Sequence, residues 1–214
     1  MDFSTVYWNS RLQEEHANLI KFLLADQELS KNYSVIDACA GIGPFVVPLG
    51  KALKKVSKYP ALKNVYANDL NPESMKWLQI NLELNKVTSY VKLPEKSKDG
   101  VDFVREILTT GQLSTQDVFV LMNLPRFSIS ILVKKLSKLL VEDPDLSEKF
   151  DNLYVIAHHM MEETDDPVES LRKNLPTNFE LLETRNIRQL VGEKYSRVLL
   201  KFKKNNPAKK PKLE

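Results

Sequence analysis

The residues of this 214-residue chain whose types could do chemistry are carboxylates and one amide, each standing at the end of an apolar run. The stretch Asp37-Ala38-Cys39-Ala40-Gly41-Ile42-Gly43-Pro44-Phe45 directly follows Tyr33-Ser34-Val35-Ile36. It reads as a buried strand breaking into a glycine turn. A parallel-sheet strand is apolar on both faces, so its C-terminal edge is where backbone first meets a ligand, and glycines let that backbone come close. Such a turn suits a nucleotide-like cofactor, or it is a plain tight connection. The run Asn64-Val65-Tyr66-Ala67-Asn68-Asp69 is a second strand ending in a carboxylate, where nucleotide-binding α/β folds place the acid that hydrogen-bonds a ribose diol. Asn71 and Pro72 already supply a cap and first-turn proline for the next helix, which leaves Asp69 as the expected ribose ligand. Asp99, after a third strand at 90–93, either contacts adenine or ribose or begins a helix. A fourth strand, 117–122, runs into Asn123-Leu124-Pro125. An amide and a proline-stiffened turn at that edge make Asn123 a candidate to face substrate.

Positioning these groups requires alternating strands and helices. Helical patterns fall at 10–25, 44–56, 72–84, 100–108 and 129–140, between the strands already named. A fifth strand, 153–157, leads to a helix opened by Asp166, Pro167 and Glu169 in a capping-box-like arrangement. Strands at 179–185 and 197–202, joined through Gly192, form a terminal antiparallel pair. This alternation predicts an α/β, Rossmann-like, mostly parallel seven-stranded sheet. The expected organisation is an N-terminal segment at 1–30 packing at the site, a main domain at 31–203 and a disordered basic tail at 204–214, with no internal repeat.

Taken together, the Asp-x-x-Ala-Gly-x-Gly turn, an acid after strand two and Asn-Leu-Pro after strand four resemble the class I S-adenosylmethionine-dependent methyltransferases. The last motif resembles the Asn-Pro-Pro-Tyr element of their nitrogen-methylating branch. The resemblance narrows on Phe3-Ser4-Thr5-Val6-Tyr7-Trp8-Asn9-Ser10-Arg11-Leu12 with Glu15, on Asp69-Leu70-Asn71-Pro72-Glu73-Ser74, on Leu84-Asn85-Lys86-Val87 and on Met122-Asn123-Leu124-Pro125. These segments are similar to the eukaryotic and archaeal tRNA (guanine-N1)-methyltransferases of the Trm5 type, over nearly the whole chain.

That resemblance implies methyl transfer from S-adenosylmethionine to N1 of the guanosine 3′ of the anticodon, position 37, with no metal. Guanine N1 carries a proton at neutral pH, so its attack on a methyl group needs a base. Glu15 matches the family's proposed base, and its neighbour Glu14 stays open as the alternative. The resemblance puts Asp37, Ala40, Gly41, Gly43, Asp69, Leu70, Asp99 and Asn123 around the cofactor. It puts Asn123 against the base as a catalytic partner that positions, with Tyr7, Arg11, Pro125 and Arg126 toward the substrate. Tyr7 and Trp8 match an aromatic segment that could stack a flipped base, Trp8 also being read as packing. Cys39 stands where the family commonly has Phe, and Arg126 where the nitrogen-methylating branch has an aromatic. Relatives carry a tRNA-gripping region before the segment resembling Phe3, so the expectation is a catalytic domain that starts just after it. Two other readings remain: a related transferase acting on another tRNA or protein nitrogen, and a silent cofactor- or RNA-binding module. The wybutosine-forming aminocarboxypropyl transferase typically lacks Asn-Leu-Pro at this point.

Composition sets the outer bounds. Hydrophobic residues at 43% and charged residues at 28% are ordinary globular usage, and a single cysteine excludes an intramolecular disulfide. There is no apolar run of membrane-spanning length and no charged-then-apolar leader, so a monomer in the cytoplasm is expected, with nucleus and mitochondrion as alternatives. The net charge of +3 is modest, but lysines cluster at 51, 54, 55 and 58, at 134, 135 and 138, and in the tail. Tracking of tRNA phosphates or a solvated outer face are both open to them. His158-His159 does not read as a metal site, because adjacent strand residues point to opposite faces.

Overall fold

In the computed structural model the described residues are 5–7, 9–25, 32–55, 58–110, 113, 117–162, 166–190 and 193–204. Phe3, Ser4, Trp8, Gly192 and the tail from 205 onward lie outside them. The strands β1 (Tyr33–Asp37), β2 (Leu62–Ala67), β3 (Val91–Lys92), β4 (Asp117–Met122), β5 (Asn152–Glu162), β6 (Phe179–Leu190) and β7 (Glu193–Phe202) form one sheet in the order β3-β2-β1-β4-β5-β7-β6. Pairings from β3 across to β5 are parallel, and β7 runs antiparallel to both β5 and β6.

The central strands β1 and β4 are buried at every position, as a strand covered on both faces must be. Their side chains separate by the strand period of two. Ile36, Val118 and Val120 enter one core with Val104, Leu108 and Leu136, whereas Val35, Phe119 and Leu121 enter the other with Leu19, Leu49 and Leu78. The first core lies under α4 (Gly100–Thr109) and α5 (Lys134–Glu142), and the second under α1 (Gln13–Leu24), α2 (Val46–Leu53) and α3 (Pro72–Leu84). Helix α1 therefore shares a core with the sheet, through Leu19 and Leu23.

Local signals set several boundaries as expected. Asn71 Oδ1 accepts from the Glu73 amide, and Pro72 opens α3. Asp166 Oδ1 accepts from the amides of Val168 and Glu169 at the start of α6 (Pro167–Asn174). Other boundaries move. Helix α2 starts at Val46, two residues after the expected position, the chain still being in a turn at Pro44 and Phe45. The helix expected at 129–140 is a π-helical stretch, Ser128–Val133, followed by α5. The last three strands are longer than their apolar cores: the β5–β7 ladder continues from Tyr154↔Lys201 out to Glu162↔Glu193. No described helix is long and apolar enough to cross a membrane.

Gly100 shows how tightly α4 meets the turn after β1. A Cβ there would lie 2.9 Å from the Ala38 carbonyl oxygen and 3.2 Å from Ala38 Cβ. Gly100→Ala is expected to lower stability by about 1–3 kcal/mol through this overpacking, read as an earlier urea midpoint. Leu84→Ala, at a 74% exposed position, is the control and should stay within about 0.5 kcal/mol.

Candidate functional site

The chain leaves β1 for β2 on one side, and β4 lies on the other, so the C-terminal end of β1 is the switch point of the sheet. Backbone bonds fix the turn there: Ala38 N–H donates to Leu121 O, Asn68 N–H to Asp37 O, Ala40 N–H to Asn68 O and Gly43 N–H to Ala40 O, at 2.9–3.0 Å. The two glycines do different work. Both have positive φ, but a Cβ on Gly41 would meet nothing within 4 Å, whereas one on Gly43 would lie 2.7 Å from Leu78 Cδ1. Gly41 opens the turn toward a ligand, and Gly43 lets α3 pack against it.

Asp69 extends from the end of β2 to this turn. Its Oδ2 accepts from Gly41 N–H and its Oδ1 from Asn71 N–H, both at 2.9 Å. Burial raises its pKa, and these two amides oppose the rise. Sequence reasoning left Asp69 without a structural task. It has one, bracing the glycine turn, and it still lines the cavity in front of that turn.

The cavity encloses about 420 Å³, within the range of small-ligand sites. Ala40, Gly41 and Asp69 form one side, and Asn123, Leu124 and Pro125 belong to the other. The second wall is latched by Ser128, whose hydroxyl donates to Met122 O (2.5 Å) and accepts from Leu124 N–H (3.0 Å). Met160 N–H donates to Pro125 O. Asn123 Oδ1 accepts from the Tyr195 hydroxyl at 3.3 Å. At the mouth stand Tyr7, 69% exposed, and Arg126, whose guanidinium forms a two-pronged pair with Glu193 at 3.0 and 3.2 Å.

Six expected site residues do not line this cavity, and of these Gly43 is taken up by the packing of α3. Asp37 is fully buried beneath the turn: Oδ1 accepts from Cys39 N–H, and Oδ2 has no partner among the described residues. Its carboxyl, desolvated by burial, is pushed up to about 8. Asp99 caps α4, accepting from the amides of Val101 and Asp102, and pairs with Lys135 at 2.9 Å. These bonds and the Lys135 charge hold its carboxyl below its ordinary pKa despite some burial. Asp99 thus starts a helix, the other of its two sequence readings. Leu70 points away at 68% exposure, and Arg11 is exposed. Glu15 is buried behind the wall, bonded at Oε1 to Arg197 Nη1 (2.9 Å) and His158 Nε2 (3.2 Å), while Glu14 is exposed on the outer side of α1. Glu15 is thus enclosed by its own partners and does not line the cavity.

Other residues of the wall had no clear signal in the sequence. His16, one residue after Glu15, lines the cavity edge-on to Phe45, with its pKa lowered by burial and then by the neighbouring His158. Cys39 also lines it, its thiol pushed up by burial and the nearby carboxylates. Among the described residues no group of three His, Cys, Asp or Glu side chains could hold a metal ion.

A seven-stranded sheet of this order with a glycine turn and carboxylate at its switch point is the fold of the class I S-adenosylmethionine-dependent methyltransferases. Residues 1–142 match the TRM5/TYW2 methyltransferase domain, and the chain belongs to that family. It is 35% identical over 187 residues to the tRNA (guanine(37)-N(1))-methyltransferase of Danio rerio, covering 84% of this chain and 35% of that one. With the Saccharomyces cerevisiae protein of the same name it shares 49% identity over 105 residues, covering 49% and 18%. The chain thus spans about a third or less of the curated relatives it matches. The Methanocaldococcus jannaschii tRNA m1G37 methyltransferase superposes with a TM-score of 0.59 at 22% identity, covering 95% of this chain and 53% of that one. Pyrococcus horikoshii TYW2 gives 0.58 at 18%, covering 95% and 67%.

The state of Asp37 can be read from stability. With its folded pKa near 8 against an ordinary 3.8, the folded form keeps a proton that the unfolded chain releases. Stability is therefore highest below the ordinary value and falls as pH rises toward the folded one. Asp37→Asn removes this proton linkage. Its melting temperature should fall less between pH 5 and pH 8 than that of the unsubstituted chain.

Proposed function

We propose that this chain is the catalytic domain of an S-adenosylmethionine-dependent tRNA (guanine-N1)-methyltransferase acting on guanosine 37. The observation that carries the reading is the meeting of two walls at one cavity, a glycine turn with Asp69 on one and Asn123-Leu124-Pro125 with Tyr7 beside it on the other. The residues present fit a nucleoside cofactor: Gly41 has open space where any other residue would carry a Cβ, and Asp69 keeps acceptor capacity beyond its two amide bonds. Bound S-adenosylmethionine supplies a methyl carbon activated by the sulfonium, which leaves with the C–S electron pair as a neutral thioether.

The chain's own residues then align and deprotonate. Asp69 takes the ribose hydroxyls, and the Gly41 turn lets the cofactor's main body lie against backbone. Tyr195 anchors Asn123 by its Oδ1, which leaves the Nδ2 amino group to donate to the carbonyl edge of guanine. Tyr7, exposed at the mouth, offers a face for the extruded base. Glu15 is the base, one layer behind Leu12 and His16. Substrate entry must open that layer or draw the carboxylate through it. Glu14 is the weaker candidate because it points to solvent.

The shared family leaves aminocarboxypropyl transfer of the TYW2 type as the second reading. Asn-Leu-Pro after β4 and the names of the curated relatives favour methyl transfer. Labelled S-adenosylmethionine should methylate an unmodified tRNA transcript with guanosine at position 37 and leave the adenosine-37 transcript unlabelled. Label in both transcripts, or transfer of the aminocarboxypropyl group instead, overturns the reading. Asp69→Ala should weaken S-adenosylmethionine binding at least about tenfold by calorimetry, the scale of one lost charge-assisted hydrogen bond.

A further inference from the structure

Glu15 sits on α1 with neighbours Leu12 and His16 in the cavity wall, yet only 4% of the residue is exposed. A dry carboxylate is costly unless paired and hydrogen-bonded. Its partners come from the far end of the chain. His158 on β5 and Arg197 on β7 are directly opposite each other in the antiparallel ladder, and both point at the same carboxylate. Each is itself fixed. Arg197 is 5% exposed, with its guanidinium 5.7 Å from the centre of the Phe22 ring. His158 is 2% exposed and stacked between Phe45 and Tyr195, with ring centres at 6.1 and 5.5 Å. Tyr195 in turn bonds Asn123, so the stack joins the two side chains that the reading above brings to guanine.

The bonds also divide the two carboxylate oxygens. An ionised carboxylate only accepts, so the His158 proton is on Nε2, and Nδ1 is bare. That Nδ1 is buried without a partner among the described residues. Arg197 Nη1 and His158 Nε2 both reach Oε1, and neither uses Oε2. Two donors fill the two lone-pair directions of Oε1.

We propose that Arg197 and His158 are positioning residues for Glu15, which saturate Oε1 so that Oε2 is the atom that takes the proton from the substrate ring nitrogen. This rests on Glu15 acting as the base in the function proposed above. The step balances: the N1–H bond breaks, its electron pair stays on N1 and forms the bond to the methyl carbon, and the proton ends on Oε2. The carboxylate's negative charge and the sulfonium's positive charge disappear together, while Arg197 stays charged. The groups facing Glu15 are His16 on α1, His158 on β5 and Arg197 and Tyr195 on β7; Tyr7 of the N-terminal segment acts on Tyr195, and Glu14 faces solvent. Burial lowers the pKa of His16 and of His158 and raises that of the Tyr195 phenol, which leaves Arg197 as the cation paired with the Glu15 carboxylate.

The test is single-turnover methyl transfer to the guanosine-37 transcript against pH, with S-adenosylmethionine affinity measured by calorimetry on each variant. Arg197→Met should slow transfer at pH 7 by at least about thirtyfold and move the acid limb of the profile upward by about 1 unit or more, with the rate recovering at high pH. The sign follows because a dry carboxylate without its cation holds a proton more tightly. Arg197→Lys should restore most of the shift. His158→Leu should slow transfer, and His158→Gln, which keeps a donor near the Nε2 position, should recover it. Cofactor affinity should change less than about twofold in all four, since none of these side chains lines the cavity. Nitrogen-15 spectra of the unsubstituted chain should show His158 protonated at Nε2 alone near neutral pH. If Glu15→Gln is severely slowed while Arg197→Met keeps the unsubstituted pH profile, or if His158 is protonated at Nδ1, the proposal fails and the base assignment survives. Full activity in Glu15→Gln, or no transfer by the unsubstituted chain with cofactor bound, removes the base reading and the proposal with it.

Discussion

The hydrogen bond from the Gly41 amide to Asp69 ties together the ends of the two strands on which the cavity is built. A turn in which φ is positive at two residues cannot continue the sheet ladder, so its amides need partners from elsewhere. A carboxylate acceptor is among the stronger ones, worth roughly 1.5–3 kcal/mol where it is sheltered. The next strand end is fastened in the same way. Asn68, fully buried, donates through Nδ2 to Lys98 O at 2.8 Å and accepts at Oδ1 from Lys98 N–H at 3.1 Å. Side chains just past β2 therefore hold the segments after β1 and after β3. The wall that meets a ligand is backbone, and its shape is set by an acid and an amide that are short and doubly bonded.

This explains which parts of the site were legible in the sequence. Gly41, Asp69 and Asn123 were found because each follows an apolar strand directly, and a strand end at a switch point has one place to be. Asp37 and Asp99 satisfied the same rule and did not reach the cavity. A carboxylate at a strand end can turn down into the core or stop a helix as readily as it can face a ligand. The sequence of Asp99-Gly100-Val101-Asp102 already contained the cap, and Lys135, 36 residues on, decided between the two. The fold was legible to a greater extent, because parallel order and two-sided burial follow from apolar runs and spacing. Strand ends on the antiparallel side were not, since polar residues such as Asn186 and Arg188 on β6 extend a ladder through backbone bonds that composition does not report.

The partners of Glu15 are the clearest case of what sequence could not give. His158 and Arg197 lie 143 and 182 residues from it. Nothing in the spacing of a chain marks two residues so distant as sharing one oxygen. Strand alternation did separate His158 from His159: the first is inside at 2% exposure, while His159 faces the other way. What alternation could not supply was the identity of the group on the inner side.

The reversed direction of β7 is what makes that arrangement possible. Parallel strands all present the same end to the cavity, so each contributes the few residues beyond its C-terminus. A strand running the other way passes the cavity level with its N-terminal half, and its ladder with β5 continues beyond the shorter central strands. Residues well inside a ladder are held by hydrogen bonds on both sides, more rigidly than residues in a loop. Arg197 and Tyr195 stand at such positions, paired with His158 and Met160. The parallel half of the sheet thus offers adaptable turns to a ligand, and the antiparallel half offers fixed side chains to the groups that must not move. A buried carboxylate that needs fixed donors finds them on the second half, and Glu15, carried there by α1, is bonded to it.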